Sequence, residues 1–142
     1  MQIQHATTHE QLLQCYAVVN DLRPNITRQV YLEKAKLLLS EGAQMIYVNE
    51  GTEAPAFAVF RLNYYFYRGY NMYIDDLNTL PQHRGKGYAG ALMDYLINYA
   101  KQKGCDNIHL DSGYQQARWD AHRFYLNKGF HLASHHFVLE LK

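Results

Sequence analysis

A chain of 142 residues, 48% hydrophobic and 19% charged, is the size and composition of one globular domain with a real core, which sets aside disorder. Fourteen Lys and Arg against 13 Asp and Glu leave a net charge of +1, so no global field gathers nucleic acid or an anionic membrane, and any useful basic character is local. No apolar run approaches the ~20 residues of a membrane span, and Met1 to Glu10 shows neither a basic nor an apolar leader pattern, so a cytoplasmic protein is expected. Cys15 and Cys105 lack C-x-x-C spacing and are expected as free thiols in or beside helices.

Residues 2–6 read as a short strand. Thr7-x-x-Glu10 has the spacing of a capping box, and Leu12, Leu13, Tyr16 and Val19 give the helix behind it an apolar stripe that ends before Pro24. Thr27 caps a second helix running to about Ser40, with Tyr31, Ala35, Leu38 and Leu39 on one face and Gly42 as its stop. Strands at 43–49, 55–65 and from about 72 to 80 are separated by turns at 50–53 and 69–71, the pattern of antiparallel hairpins. Tyr64, Tyr65, Tyr67 and Tyr70 cluster here with Phe66. They fit either a groove for a polar ligand or a half-exposed hairpin with cross-strand aromatic pairs.

After Pro81 comes a basic, glycine-rich turn, Arg84-Gly85-Lys86-Gly87-Tyr88-Ala89-Gly90, and a helix opens inside it with Ala89, Leu92, Met93, Leu96, Ile97 and Ala100 at helical spacing and Gly104 as C′ residue. Gly85 and Gly87 allow positive φ, the first helical turn presents unpaired N–H groups and the positive end of its dipole, and Arg84 and Lys86 add formal charge. Together these make a cradle for a phosphate or pyrophosphate. A strand at 107–110 follows, parallel to the one before the loop if the helix is a right-handed crossover. A helix then opens near Asp120 and stops at Lys128, with Gly129 at C′ and Phe130 at C″, and a last strand is expected around 136–141.

Gly85-x-Gly87-x-x-Gly90, with Asp111 ending the next strand, also matches the dinucleotide fingerprint. Against that reading, four residues separate the strand from the first glycine, and too little chain follows Asp111 to complete such a sheet. A P-loop fits less well, because Gly87 and not Ser or Thr follows Lys86. Of eight histidines, His5 and His9 are four apart and His135 and His136 adjacent, with no third and fourth ligand at metal spacing, so no metal is expected.

Arg84-x-x-Gly87-x-Ala89 resembles the signature of the GNAT superfamily of acetyl-CoA-dependent N-acetyltransferases. Tyr73-Ile74-Asp75-Asp76-Leu77 is similar to the preceding strand of its diamine acetyltransferase branch, and Ala121 to Phe130 is similar to its closing A-x-x-x-Y-x-x-x-G-F. The resemblance implies an α/β (α+β) fold over residues 1–142 as one domain, with a mixed, mainly antiparallel central sheet and helices on both faces. It implies acetyl-CoA as co-substrate, its diphosphate on Arg84 to Gly90 and its pantetheine arm along Leu77, Asn78 and Thr79. It further implies an amide near Leu77 that polarises the thioester carbonyl, Tyr125 as proton donor to the sulfur, and possible homodimerisation. Asp75 aligns with the branch's acid and Asp76 follows it. Side chains alternate on a strand, so only one of the two is expected to face a given cleft as base or amine anchor, and an aspartate of pKa about 4 needs burial or a water relay to act as base. Where the family has Asn in N-x-x-A this chain has Arg118, which puts that coenzyme contact in doubt. The expected reaction is direct acetyl transfer to a primary amine, on a cationic small molecule such as a polyamine or aminoglycoside, with a protein or peptide amine and an acetyl-CoA sensor as alternatives.

Overall fold

The computed structural model describes residues 1–142 as two compact units, Met1–His109 and Leu110–Lys142. In the first unit the order is β1 (Gln2–His5), α1 (His9–Gln14), α2 (Tyr16–Leu22), α3 (Arg28–Ser40), β2 (Gln44–Asn49), β3 (Ala56–Tyr65), β4 (Gly69–Thr79), α4 (Tyr88–Gln102) and β5 (Asn107–Leu110), whose last residue belongs to the second unit. The sheet order is β1-β2-β3-β4-β5, and the first four strands pair antiparallel. The β4–α4–β5 passage brings the chain back to where β4 begins. Asp106 N–H donates to Tyr70 C=O at 2.7 Å, so β5 runs in the same direction as β4 and the sheet is mixed. A Rossmann sheet is therefore excluded, since four of the five strands form an antiparallel meander.

Alternation along β2 and β3 divides the core in two. Met45, Tyr47, Phe57 and Val59 point to one face and meet Leu12, Cys15, Val18, Tyr31 and Ala35 from α1 to α3. On the opposite face α4 buries Leu92, Met93, Leu96 and Ala100. It is tied across by Tyr95 to His5 at 2.8 Å, by Tyr99 to Gln44 at 3.1 Å and by the edge-on contact of Tyr99 with Phe60. Helices thus cover both faces of the sheet. Fully burying one such aliphatic side chain contributes about 1.5–3 kcal/mol.

The helix ends follow local chemistry. Thr27 caps α3 by accepting from Val30 N–H at 3.2 Å, and Gly42 and Gly104 sit at φ +96 and +78 in the C′ position, each followed by the backward amide bonds of a Schellman turn. The first cap lies one residue later than expected: Thr8, not Thr7, accepts from Gln11, whose side chain returns to the Thr8 N–H. The single helix expected up to Pro24 is two, broken at Cys15. Tyr31 Oη donates to the Leu12 carbonyl at 2.6 Å and occupies an acceptor the helix would otherwise use. Both cysteines are free, and burial pushes the Cys15 thiol up to about 12.

The second unit holds a 3-10 turn at Gln116–Arg118 and α5 (Trp119–Asn127), which opens one residue before Asp120. Gly129 at φ +99 and the bond from Phe130 N–H to Tyr125 C=O at 3.1 Å close α5 as the sequence predicts. The strand expected at 136–141 does not form: residues 131–142 have no regular structure, and Phe137, Val138, Leu139 and Leu141 are exposed. A strand exists only in a ladder, and this unit contains no second strand of its own to provide one.

Candidate active site

The glycine-rich turn lies between β4 and α4. Pro81–His83 form one 3-10 turn, Arg84 is extended, and Gly85 and Gly87 take φ of +77 and +85. Gly87 is the N-cap of α4, so the helix starts without any side-chain cap and its first N–H groups stay unclaimed by a capping side chain. A Cβ built on Gly85 or Gly87 would meet nothing within 4 Å. The glycines are thus required by backbone conformation, and the space above them is open. Arg84 is exposed at its rim. Lys86 Nζ lies 3.3 Å from His83 Nδ1, His83 Nε2 lies 2.8 Å from Glu53, and Tyr88 Oη donates to Glu50 at 3.3 Å. Two carboxylates of the β2–β3 turn therefore hold His83 and Tyr88 on one side of the loop, while no side chain caps the first amides of α4. Open space, glycine backbone and an uncapped 15-residue helix fit a diphosphate.

Leu77, Asn78 and Thr79 pair with Ala58, Phe57 and Ala56 of β3 along one edge. On the other edge β5 has only four residues against eleven in β4 and begins beside Tyr70. At about 3.3 Å per residue it ends short of Leu77, so within this unit the main chain of 77–79 has no strand beside it. The Asn78 side chain is committed to the helices, donating to Val18 C=O at 3.2 Å and to Asp21 at 2.9 Å.

The register of β3 and β4 slips between Val59 and Phe60: Val59 faces Asp76 and Phe60 faces Ile74, leaving Asp75 as the extra residue of a β-bulge. The expected alternation of Asp75 and Asp76 is thereby broken. Asp76 lies across from Val59 on the α1–α3 face and pairs with Arg23 behind α2. Asp75 reaches Arg61 Nε at 2.8 Å on that same face. Burial raises the Asp75 carboxyl above its ordinary range, opposed by the bond and the charge of Arg61. A shallow groove of ≈ 480 Å³ lies here, lined by Arg61, Asn63, Tyr65, Arg68, Tyr73 and Asp75. Of the tyrosine cluster, Tyr65 lines it and stacks on Tyr67, whereas Tyr64 and Phe66 simply project into solvent. The groove arginines carried no sequence signal. Arg61 and Arg68 sit in a hairpin without a motif, and only pairing brings them to Asp75.

In the second unit Tyr125 is half-buried on α5, edge-on to Phe124 at 5.6 Å and Phe130 at 5.9 Å. Burial raises its phenol and the Arg118 charge opposes this, so the hydroxyl keeps its proton at neutral pH. Of the other basic residues near it, Arg123 pairs with Asp120 at 2.7 Å and His122 Nε2 meets the Gly113 carbonyl at 2.7 Å. Nowhere do three His, Cys, Asp or Glu side chains gather as metal ligands would, and no helix is long and apolar enough to cross a membrane.

The sequence profile described as the Acetyltransferase (GNAT) family matches residues 8–130. An uncharacterized N-acetyltransferase, YhdJ, of Bacillus subtilis (strain 168) is 32% identical over 135 residues, 92% of each chain. Among solved structures, the aminoglycoside antibiotic 6'-N-acetyltransferase AAC(6')-IG from Acinetobacter haemolyticus superposes with TM-score 0.81 at 19% identity, over 100% of this chain and 99% of that one. AAC(6')-Iy in complex with the bisubstrate analog CoA-S-monomethyl-acetylneamine gives TM-score 0.81 at 16% identity, over 99% and 97%. At these identities the two structures speak for the fold alone. The profile match and the B. subtilis relative, together with the turn at Arg84 to Gly90, establish that this chain belongs to the GNAT family of acetyltransferases, and so to the acyltransferases.

Proposed function

We propose that the protein moves an acetyl group from acetyl-CoA to a primary amine of a small molecule by direct transfer, its two units acting as one acetyltransferase domain. The observation that carries this reading is the open, uncapped start of α4 behind Gly85 and Gly87, a site shaped for the coenzyme's diphosphate. The amides of Gly85, Lys86, Gly87, Tyr88, Ala89 and Gly90 would hold it, with Arg84 at the edge. The free edge of Leu77, Asn78 and Thr79 would take the pantetheine arm as a strand takes a neighbour.

When bound, acetyl-CoA supplies an acetyl group on a thioester carbonyl and a thiolate leaving group. Asp75 accepts the proton that the acceptor's ammonium must lose, directly or through one water, and its burial-raised pKa suits it for this better than an ordinary aspartate. Asp76 adds negative charge on the same face, though Arg23 already matches it. The Leu77 amide is assigned to the developing oxyanion, and the Tyr125 phenol, kept protonated by burial, to returning a proton to the sulfur. No metal has a role in this scheme.

A cationic acceptor, polyamine or aminoglycoside-like, draws support from the two carboxylates and from the named activity of the aminoglycoside acetyltransferases of the same fold. Two free thiols agree with a cytoplasmic setting. A screen of thiol release from acetyl-CoA over polyamines, aminoglycosides, amino acids and peptides tests the reading. Acceptor-dependent release by a small amine supports it. Coenzyme binding with no release for any amine favours a sensor, the alternative that the pairing of both carboxylates with arginines keeps in view.

A further inference from the structure

The groove beside Asp75 is more basic than a site for a simple polyamine should be. Its lining holds two guanidinium groups, Arg61 and Arg68, against one carboxylate, which leaves one formal positive charge. The neighbouring Asp76 adds nothing to that balance, because Arg23 is paired with it. Asp106, beside Gly69 at the turn end of the hairpin, accepts from the Tyr70 N–H at 3.1 Å and does not line the groove. The two arginines are held differently. Arg61 spends Nε on Asp75 Oδ2, which fixes its plane and leaves the terminal Nη atoms for another acceptor. Arg68 lies over the rings of Tyr65 and Tyr67, its Cζ 5.7 and 5.2 Å from their centroids, and is paired with no carboxylate. A guanidinium stacked on an aromatic face keeps its in-plane N–H fork free for a carboxylate or phosphate. A polyamine would meet two cations here and one half-neutralised acid, an arrangement that repels its second charge by Coulomb's law at close range.

We infer that the acceptor amine also carries an anionic group, a carboxylate or a phosphate, held by Arg61 and Arg68 along the β3–β4 hairpin while its ammonium addresses the remaining oxygen of Asp75. This rests on the acetyltransferase reading and narrows its substrate from any cationic amine to an amine of mixed charge. Tyr65 and Tyr73 give such a molecule an aromatic wall, and Asn63 adds a polar side chain to the lining.

Calorimetry on the full chain saturated with coenzyme A tests the inference with two matched pairs of probes. These are L-lysine against cadaverine, which differ by the carboxylate, and glucosamine 6-phosphate against glucosamine, which differ by the phosphate. The expected result is at least tenfold tighter binding of the anionic member in one or both pairs, the responding pair identifying which anion is read. Arg68→Gln should reduce that preference to within twofold while thermal midpoint and acetyl-CoA affinity stay as in the parent. Arg61→Lys, which keeps the charge beside Asp75 but not the fork, should reduce it in part. Equal or tighter binding of cadaverine and glucosamine, or no binding of any of the four, overturns the inference but leaves coenzyme binding and the proposed reaction intact. Failure of coenzyme A itself to bind would instead sink the acetyltransferase reading, so the two failures are told apart in the first titration.

Discussion

In the proposed reaction Tyr125 and Asp75 carry opposite proton tasks, and their surroundings suit each to its own. Both pKa values are displaced upward, chiefly by burial. For the phenol this means that the proton-donating form persists beyond the ordinary value of about 10, so the alkaline limb of the kcat profile should lie above that pH and be absent in Tyr125→Phe. The same substitution should lower kcat by about 100-fold or more, with acetyl-CoA affinity unchanged in calorimetry, since general acid catalysis contributes on that scale. For the carboxylate the active form is the ionised one, so activity is lost as pH falls through a value above the usual ~4, and Asp75→Asn should both lower kcat and flatten that acid limb. An acid limb that survives unchanged in Asp75→Asn would remove Asp75 from the base role.

The turn between β4 and α4 is where an element's backbone, more than any side chain, makes the proposed coenzyme site. Gly87 needs φ of +85 to begin α4, and a Cβ there meets no neighbour, so the cost of Gly87→Ala is purely conformational, about 1–2 kcal/mol in denaturant unfolding. Gly42, at φ +96 behind α3, has equally open surroundings and serves as the control. Gly42→Ala should lose comparable stability with acetyl-CoA affinity unchanged, whereas Gly87→Ala should lose both, because the amides assigned to the diphosphate turn with the backbone. These elements were largely legible in the sequence. Caps, Schellman glycines and helical stripes depend on hydrogen bonds within four or five residues, which is why α3, α4 and α5 and their stops emerge close to their observed bounds. The errors mark where a distant group intrudes. Tyr31 takes a carbonyl of the first helix and splits it, and the apolar run at 137–141 finds no ladder partner within its unit.

For the whole molecule, the test that separates an acyl-coenzyme site from a dinucleotide site is linkage. A ligand at 100 times its dissociation constant stabilises the folded state by about 2.7 kcal/mol, so acetyl-CoA should raise the thermal midpoint by several degrees and NADH should not. The sequence by itself determined the family, the place of the basic, glycine-rich turn, the order of the elements from α3 to α5 and the tyrosine in its helix, because each of these is written in short-range spacing. Only the tertiary structure decided that Asp75 and Asp76 share a face, through a bulge that alternation could not foresee, and that each meets an arginine, 14 and 53 residues away in the chain. The charge of the groove beside Asp75 was thus hidden until strands paired, since strand register is set by packing across the sheet and not by the residues next in line.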